Sequence, residues 1–258
     1  IKFIKNKKST ENSIKLKKIK SNFSEKNVLG TMVHENFLYI YYSVERNGCW
    51  FMGIDIAKIN LNNLNFKNFF KSDECAKNYI EIGRMQTYEH NGSVGILVAS
   101  AMHPAGEDNH SQSDDSIFGK ILFIDLDKRK HIIFSKGHRV PQGLYAESNL
   151  IISTEHGPKG GDEINRIFFK KNYGWPLSSY GEPYAGSFTK KPYYFKDHKS
   201  HNFEEPIFSF VQSIAISEII RLPNNFSEHY KDNFLISSLN GISLYRIKFD
   251  ESYSKVLF

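Results

Sequence analysis

An all-β fold is what this sequence predicts. Three observations carry the prediction: short β-branched and aromatic runs recur along the chain, turn-forming residues separate them, and no long stretch sustains a helical period. The first pair is Leu38–Val44 (LYIYYSV) and Trp50–Ile56 (WFMGIDI), flanking a turn at Glu45–Cys49. Asn47-Gly48 lies in that turn, and an Asn-Gly pair favours a tight hairpin because both residues tolerate positive φ. Gly95–Ala101, Lys120–Leu126 and His131–Phe134 follow as further strands. Leu150–Thr154, Ile164–Phe169, Asn233–Ser238 and Ser243–Phe249 complete the series. Leu61–Phe70 is the one stretch where a helix competes with a strand. Two long irregular segments interrupt the pattern, Met102–Ser116 and Lys170–Phe203, and long loops of this kind often carry function. Sandwich, barrel and propeller all suit such a chain, and no strict repeat separates them.

The 258 residues are 40% hydrophobic and 24% charged, which excludes wholesale disorder. No apolar run is long enough for a membrane-spanning helix, and no signal-peptide core is present. Two cysteines, Cys49 and Cys75, exclude a disulfide-dense scaffold and a four-cysteine zinc site, without fixing the redox compartment. The formal charge is +6, but eight lysines and one acid in residues 1–20 supply +7 of it. The rest of the chain is nearly neutral. Lysine lacks the planar fork that reads phosphates and bases, so this basic terminus reads as a solvated segment and not as a nucleic-acid site.

The stretch richest in chemistry is Gly137–Pro176 (GHRVPQGLYAESNLIISTEHGPKGGDEINRIFFKKNYGWP). Arg139 and Gln142 flank Pro141, so a rigid turn can present a guanidinium and an amide together to an anionic or carbonyl-rich ligand. In Glu155-His156-Gly157-Pro158 and Gly160-Gly161-Asp162-Glu163, glycine and proline bare backbone carbonyls beside carboxylates. Hard oxygen donors of that kind suit Ca²⁺ better than Zn²⁺. A glycine-rich turn with solvated acids is the alternative on chemistry alone.

The same stretch resembles the signature of the soluble quinoprotein glucose/sorbosone dehydrogenases, the pyrroloquinoline quinone (PQQ)-dependent aldose sugar dehydrogenases. The matching motifs are GHRVPQG at 137–143, TEHGPKGGDEIN at 154–165 and NYGWP at 172–176. Fainter likeness lies in Leu29–Ser43, Gly83-Arg84-Met85, Phe118–Ile124, Ser213–Ser217 and Phe234–Phe249. The resemblance implies a six-bladed β-propeller over residues 28–258, preceded by a basic segment 1–27 that forms a tail or part of a first blade. At about 40–45 residues per blade the chain falls short of six blades, so an incomplete propeller of five or so sheets is expected. The resemblance also implies PQQ and Ca²⁺ as cofactors, a small sugar oxidised at C1 by hydride transfer to the quinone, and an extracytoplasmic location. Arg139 and Gln142 match cofactor-contacting positions. The carbonyls of Gly157 and Pro158 match the Ca²⁺ ligands.

Several positions depart from the family pattern. The general base, three residues before the glycine of the GRL-like motif, aligns with Ile80, which accepts no proton. Its neighbour is Tyr79. An asparagine gives way to Val140, a cofactor-pairing lysine to Asn240, and an aromatic-Pro pair to Val211-Gln212. No catalytic residue is therefore assigned, and Glu81 and His90 are the nearest polar candidates. The competing reading is a catalytically inactive propeller that binds carbohydrate or a partner. His103, His110, Glu107, Asp108, Asp114 and Asp115 form a polar cluster without a metal spacing. It reads as a solvated loop at the wall of a substrate cleft.

Overall fold

Runs such as Gly95–Ala101 are apolar at consecutive positions because their strands are buried on both faces. In the computed structural model, described at residues 19–20, 25–60, 63–80, 83–104, 109–184 and 194–258, the strands form successive antiparallel sheets. The first comprises β2 (Lys26–His34), β3 (Phe37–Arg46), β4 (Cys49–Lys58) and β6 (Lys67–Ala76). The second comprises β7 (Gly83–His90), β8 (Ser93–Ser100), β9 (Lys120–Asp125) and β10 (His131–Lys136). The third comprises β11 (Pro141–Glu147), β12 (Leu150–Glu155), β13 (Asp162–Arg166) and β14 (Phe208–Phe210). The fourth has three strands, β15 (Ile216–Arg221), β16 (Asn233–Ser238) and β17 (Ser243–Lys248). β1 (Ile19–Lys20) and β5 (Leu64–Asn65) make a small parallel pair.

Each of the four sheets is an up-and-down meander, and its first strand adjoins the first strand of the next: β2 meets β7, β7 meets β11, and β11 meets β15. This is blade-like packing about an inner axis. Among the described residues there are four such sheets, not five or six, and they do not close into a ring. Of the basic segment 1–27, only residues 19–20 and 25–27 are described.

Alternation along each strand sends side chains into different interiors. Ile96 and Val98 of β8, with Leu122 and Ile124 of β9, pack against Tyr41, Met52 and Ile54 of the first sheet. The intervening Leu97, Ala99, Ile121 and Phe123 pack instead with Leu144 and Ile151 of the third. Ile152 and Ile164 then join Ile216, Phe234 and Ile236 in the interior between the third and fourth sheets. Burying such a side chain contributes about 1.5–3 kcal/mol.

The Asn47-Gly48 hairpin forms as expected, with φ of 54° and 76° and Arg46 paired to Cys49. Of Leu61–Phe70, the described residues 63–70 form no helix. Within it Leu64–Asn65 and the start of β6 are extended, because Phe69 and Phe70 fill the sheet interior and Phe69 meets Tyr39 edge-on. Cys49 and Cys75 form a disulfide between β4 and β6, with Cα atoms 5.7 Å apart, well within the bridging range. Of Met102–Ser116, residues 109–112 form one helical turn, α1 (Asn109–Gln112). No helix among the described residues is long and apolar enough to cross a membrane.

Candidate functional site

The turn before β11 is set by Gly137 and His138. Gly137 has φ of 78°, and a Cβ there would lie 2.2 Å from Asn172 Oδ1. His138 is fully buried: one ring nitrogen lies 2.7 Å from Glu155 Oε1, the other 2.8 Å from Ser135 Oγ, and the ring stacks on Tyr173. The same carboxylate accepts the backbone N–H of Arg139 at 3.3 Å, and the Arg139 carbonyl accepts Met102 N–H at 2.7 Å. Arg139 is thereby fixed at its backbone. Its guanidinium donates to the His156 carbonyl at 3.1 Å and lies 5.1 Å over the Trp175 ring.

Gln142 sits at a β-bulge. Pro141 pairs with Glu155 and Gly143 with Thr154, leaving Gln142 as the extra residue. A bulge re-aims one side chain out of the pleat, which is why bulges gather beside functional sites.

Gly157 and Pro158 lie in the loop between β12 and β13. Gly157 N–H donates to Asp162 Oδ1 at 3.1 Å, and Asp162 also accepts Ser213 Oγ and Ile216 N–H. A Cβ on Gly157 would fall 2.1 Å from the Gly160 carbonyl and 2.3 Å from that of Gly161. Any side chain at position 157 would collide with both carbonyls, so this close approach requires glycine. The Pro158 carbonyl accepts the Tyr184 hydroxyl at 2.8 Å. Arg139 and Gly157 line one water-sized cavity with Glu155, His156 and Trp175.

Ile80 is 3% exposed and lines a separate cavity of about 290 Å³ with Tyr79, Ala101, Met102, Pro104 and Val140. The aligned base position and the aligned asparagine position thus face one space, both as hydrocarbon. Asn240 donates its amide to the Ser213 carbonyl at 3.0 Å. His90 is no part of this site: its ring lies among Phe123, Phe134 and Phe169, where burial lowers its pKa. Glu81, Glu107 and Asp108 lie outside the described residues. His103 and His110 do come together, stacked with centroids 4.4 Å apart, and His110 reaches Glu74 at 3.0 Å. Asp114 pairs with Lys136, and no metal-holding group of three His, Cys, Asp or Glu side chains occurs among the described residues. A cavity of about 590 Å³ is a groove along β10 lined by Ile132, Lys136 and Lys171, away from this chemistry.

Sequence reasoning assigned no role to a buried polar network beneath the loop. Asn165 Nδ2 bridges Glu155 and Glu163 at 3.3 and 3.2 Å, and buried His198 approaches Glu163 at 3.7 Å. Burial, reinforced by the neighbouring Glu155, pushes the Glu163 carboxyl up to about 8. Burial also raises Glu155, but the pairing with His138 and hydrogen bonds from Asn165 and Ser153 outweigh it and hold that group low. Burial lowers His156 and His198. Arg84 on β7 also pairs with Glu218 on β15 at 2.9 Å, linking two inner strands.

A family model described as glucose/sorbosone dehydrogenase matches residues 26–257. The chain belongs to the glucose/sorbosone dehydrogenase family. Aldose sugar dehydrogenase YliI of Escherichia coli K12 is 35% identical over 130 residues, which is 43% of this chain and 34% of the relative. Quinoprotein glucose dehydrogenase B of Acinetobacter calcoaceticus is 33% identical over 95 residues, 31% of this chain and 20% of its own. The chain spans about a third or less of the length of these curated relatives. Among solved structures, the apo-form of the soluble E. coli aldose sugar dehydrogenase aligns with a TM-score of 0.75 at 21% identity, over 90% of this chain and 71% of that one. The PQQ-bound aldose sugar dehydrogenase of Streptomyces coelicolor aligns at 0.64 and 19%, over 90% and 65%. These likenesses establish the fold that a glucose/sorbosone dehydrogenase shares.

Proposed function

We propose that this chain keeps part of the cofactor side of a PQQ-dependent sugar dehydrogenase, at Arg139 and Gln142, and has lost the group that removes the substrate's hydroxyl proton. Arg139, pinned by Glu155 and His156, and Gln142, presented on its bulge, would hold PQQ through its carboxylate and carbonyl oxygens. The carbonyls of Gly157 and Pro158 would hold Ca²⁺. In such a site PQQ supplies the hydride acceptor and Ca²⁺ polarises its carbonyl. The observation that carries the reading is that Ile80 and Val140 line the same cavity. Neither takes up a proton, and loss of a positioned base lowers the rate by about 10²–10⁴-fold. Oxidation of an aldose at C1 would persist only as a residue of that activity.

The Cys49–Cys75 disulfide supports an extracytoplasmic location, because such bonds persist in oxidising compartments. We assign residues 28–258 to the propeller and 1–27 to a basic lead segment. The test is to titrate the chain with PQQ in the presence and absence of Ca²⁺, then to follow aldose-dependent dye reduction by the native chain and by Ile80→His. Ca²⁺-dependent PQQ binding, with dye reduction rising at least tenfold in the variant, is the expected result. Absence of PQQ binding overturns the reading and leaves the inactive module.

A further inference from the structure

The chain has two Asn-Gly turns of the same build and different chemistry. Asn47-Gly48 joins β3 to β4 with φ of 54° and 76°, and Asn91-Gly92 joins β7 to β8 with φ of 51° and 75°. All four residues are exposed. Among the described residues, nothing beyond the chain neighbours lies within 4 Å of a Cβ placed on either glycine, so both turns have similar room to rotate.

Asparagine followed by glycine is open to succinimide formation, because the glycine nitrogen attacks with no side chain in its way. At the second turn, the Gly92 nitrogen would bond to the side-chain carbonyl carbon of Asn91, the bond from that carbon to Nδ2 would break, and ammonia would leave. The N–H of Gly92 supplies the extra proton that ammonia carries away. Water then opens the ring at either carbonyl, giving aspartate or isoaspartate.

The surroundings of the two turns act on this step in opposite directions. Asn91 Nδ2 donates to His90 Nε2 at 3.3 Å. The rings of Phe123, Phe134 and Phe169 hold the imidazole in place, with centroids 5.5, 5.2 and 4.4 Å away. Once Gly92 has attacked, Nδ2 is an amine that needs a proton to depart, and an imidazole at hydrogen-bond distance can carry it there. At the first turn, the Glu45 carboxylate accepts the Gly48 N–H. The Gly48 nitrogen must shed that proton to attack, and a negative charge beside it opposes the loss.

We propose that Asn91 is a site of spontaneous deamidation assisted by His90, and that Asn47 is its protected counterpart. The product places a carboxylate at the tip of the β7–β8 hairpin, and the isoaspartate form adds a methylene to the main chain of a two-residue turn. His90 pairs with Ser93 at this tip, whereas Gly83 and Ser100 pair at the other end, next to the segments that carry Ile80 and Met102. The modification is therefore remote from the candidate site, and the inference is independent of PQQ.

The full chain, with its disulfide intact and no added PQQ or Ca²⁺, is aged in neutral buffer. Peptide mapping by mass spectrometry follows both asparagines, and enzymatic methylation of isoaspartate marks the product. In the folded chain Asn91 is expected to convert at least ~5-fold faster than Asn47. In urea the two rates should become about equal. His90→Phe keeps a ring among the three phenyl groups without its nitrogens, and is expected to slow Asn91 at least ~5-fold. Glu45→Gln removes the charge and is expected to speed Asn47 at least ~3-fold. An unchanged circular dichroism spectrum checks the folding of each variant. Asn47 converting as fast as Asn91 in the folded native chain, or a rate difference that persists in urea, overturns the proposal whether or not the variants fold. So does an undiminished Asn91 rate in folded His90→Phe, or an unchanged Asn47 rate in folded Glu45→Gln.

Discussion

Removing the Cys49–Cys75 bond is expected to destabilise the first sheet by an amount that follows from the loop it closes. The sequence separation is 26 residues. A cross-link of that span removes about 12 cal/mol/K of chain entropy from the unfolded state, or about 3.5 kcal/mol at 25 °C. The native ladder between β4 and β6 keeps the two strands adjacent without the bond, so the folded state should change little. The cost therefore falls on the unfolded side. At a denaturant dependence of about 2–3 kcal/mol/M, the urea midpoint should fall by about 1–2 M. The assay compares the native chain, the native chain with reductant, and the double variant Cys49→Ser/Cys75→Ser. Fluorescence of Trp50, which pairs with Ala76 beside the bridge and meets Tyr79 edge-on, reports on this sheet. A midpoint that moves by less than about 0.3 M, or two free thiols in the unreduced chain, would refute the reasoning.

Two further outcomes follow from the buried chemistry. Glu163, with a folded pKa near 8 against an ordinary 4.5, binds its proton more strongly folded than unfolded. Its contribution is fully present below about pH 4.5 and is lost as pH rises towards 8, so Tm in metal-free buffer should fall across that window, and Glu163→Gln should flatten the fall. Gly157→Ala would drive a methyl to 2.1 Å from the Gly160 carbonyl, so the loop must open. Ca²⁺-dependent PQQ binding should drop at least tenfold in fluorescence titration, with an unchanged circular dichroism spectrum as the check on folding.

The apolar runs of β8 and β9 were legible because burial on both faces leaves no polar position to confuse the period. β6 was not, since its sequence KNFFKSDECA mixes exposed Lys67, Lys71 and Asp73 with buried Phe69, Phe70 and Ser72. Asn47-Gly48 announced its hairpin, and Asn91-Gly92 makes a second one, with φ of 51° and 75°. The disulfide was beyond reach: two cysteines 26 residues apart become neighbours only through the register of β4 on β6. Of the motif residues, Gly157 could be read as a position of close backbone approach, because glycine in a GP–GG turn commonly marks one. The bulge at Gln142 could not, because it depends on the pairing with β12. Nor could the buried network, because His198 arrives at Glu163 from an irregular segment whose path no periodicity specifies.

The alternation of β8 between two interiors makes the second sheet a party wall. Ile96 and Leu97 are sequence neighbours, yet they belong to different rooms, and a substitution at one is felt on the side opposite to the other. Ala101 and Met102 follow directly where that wall ends, at the lip of the cavity beside Ile80. The geometry of the cavity is therefore held jointly from two sides. Repacking either interior should tune what the cavity accepts without altering a single residue that lines it.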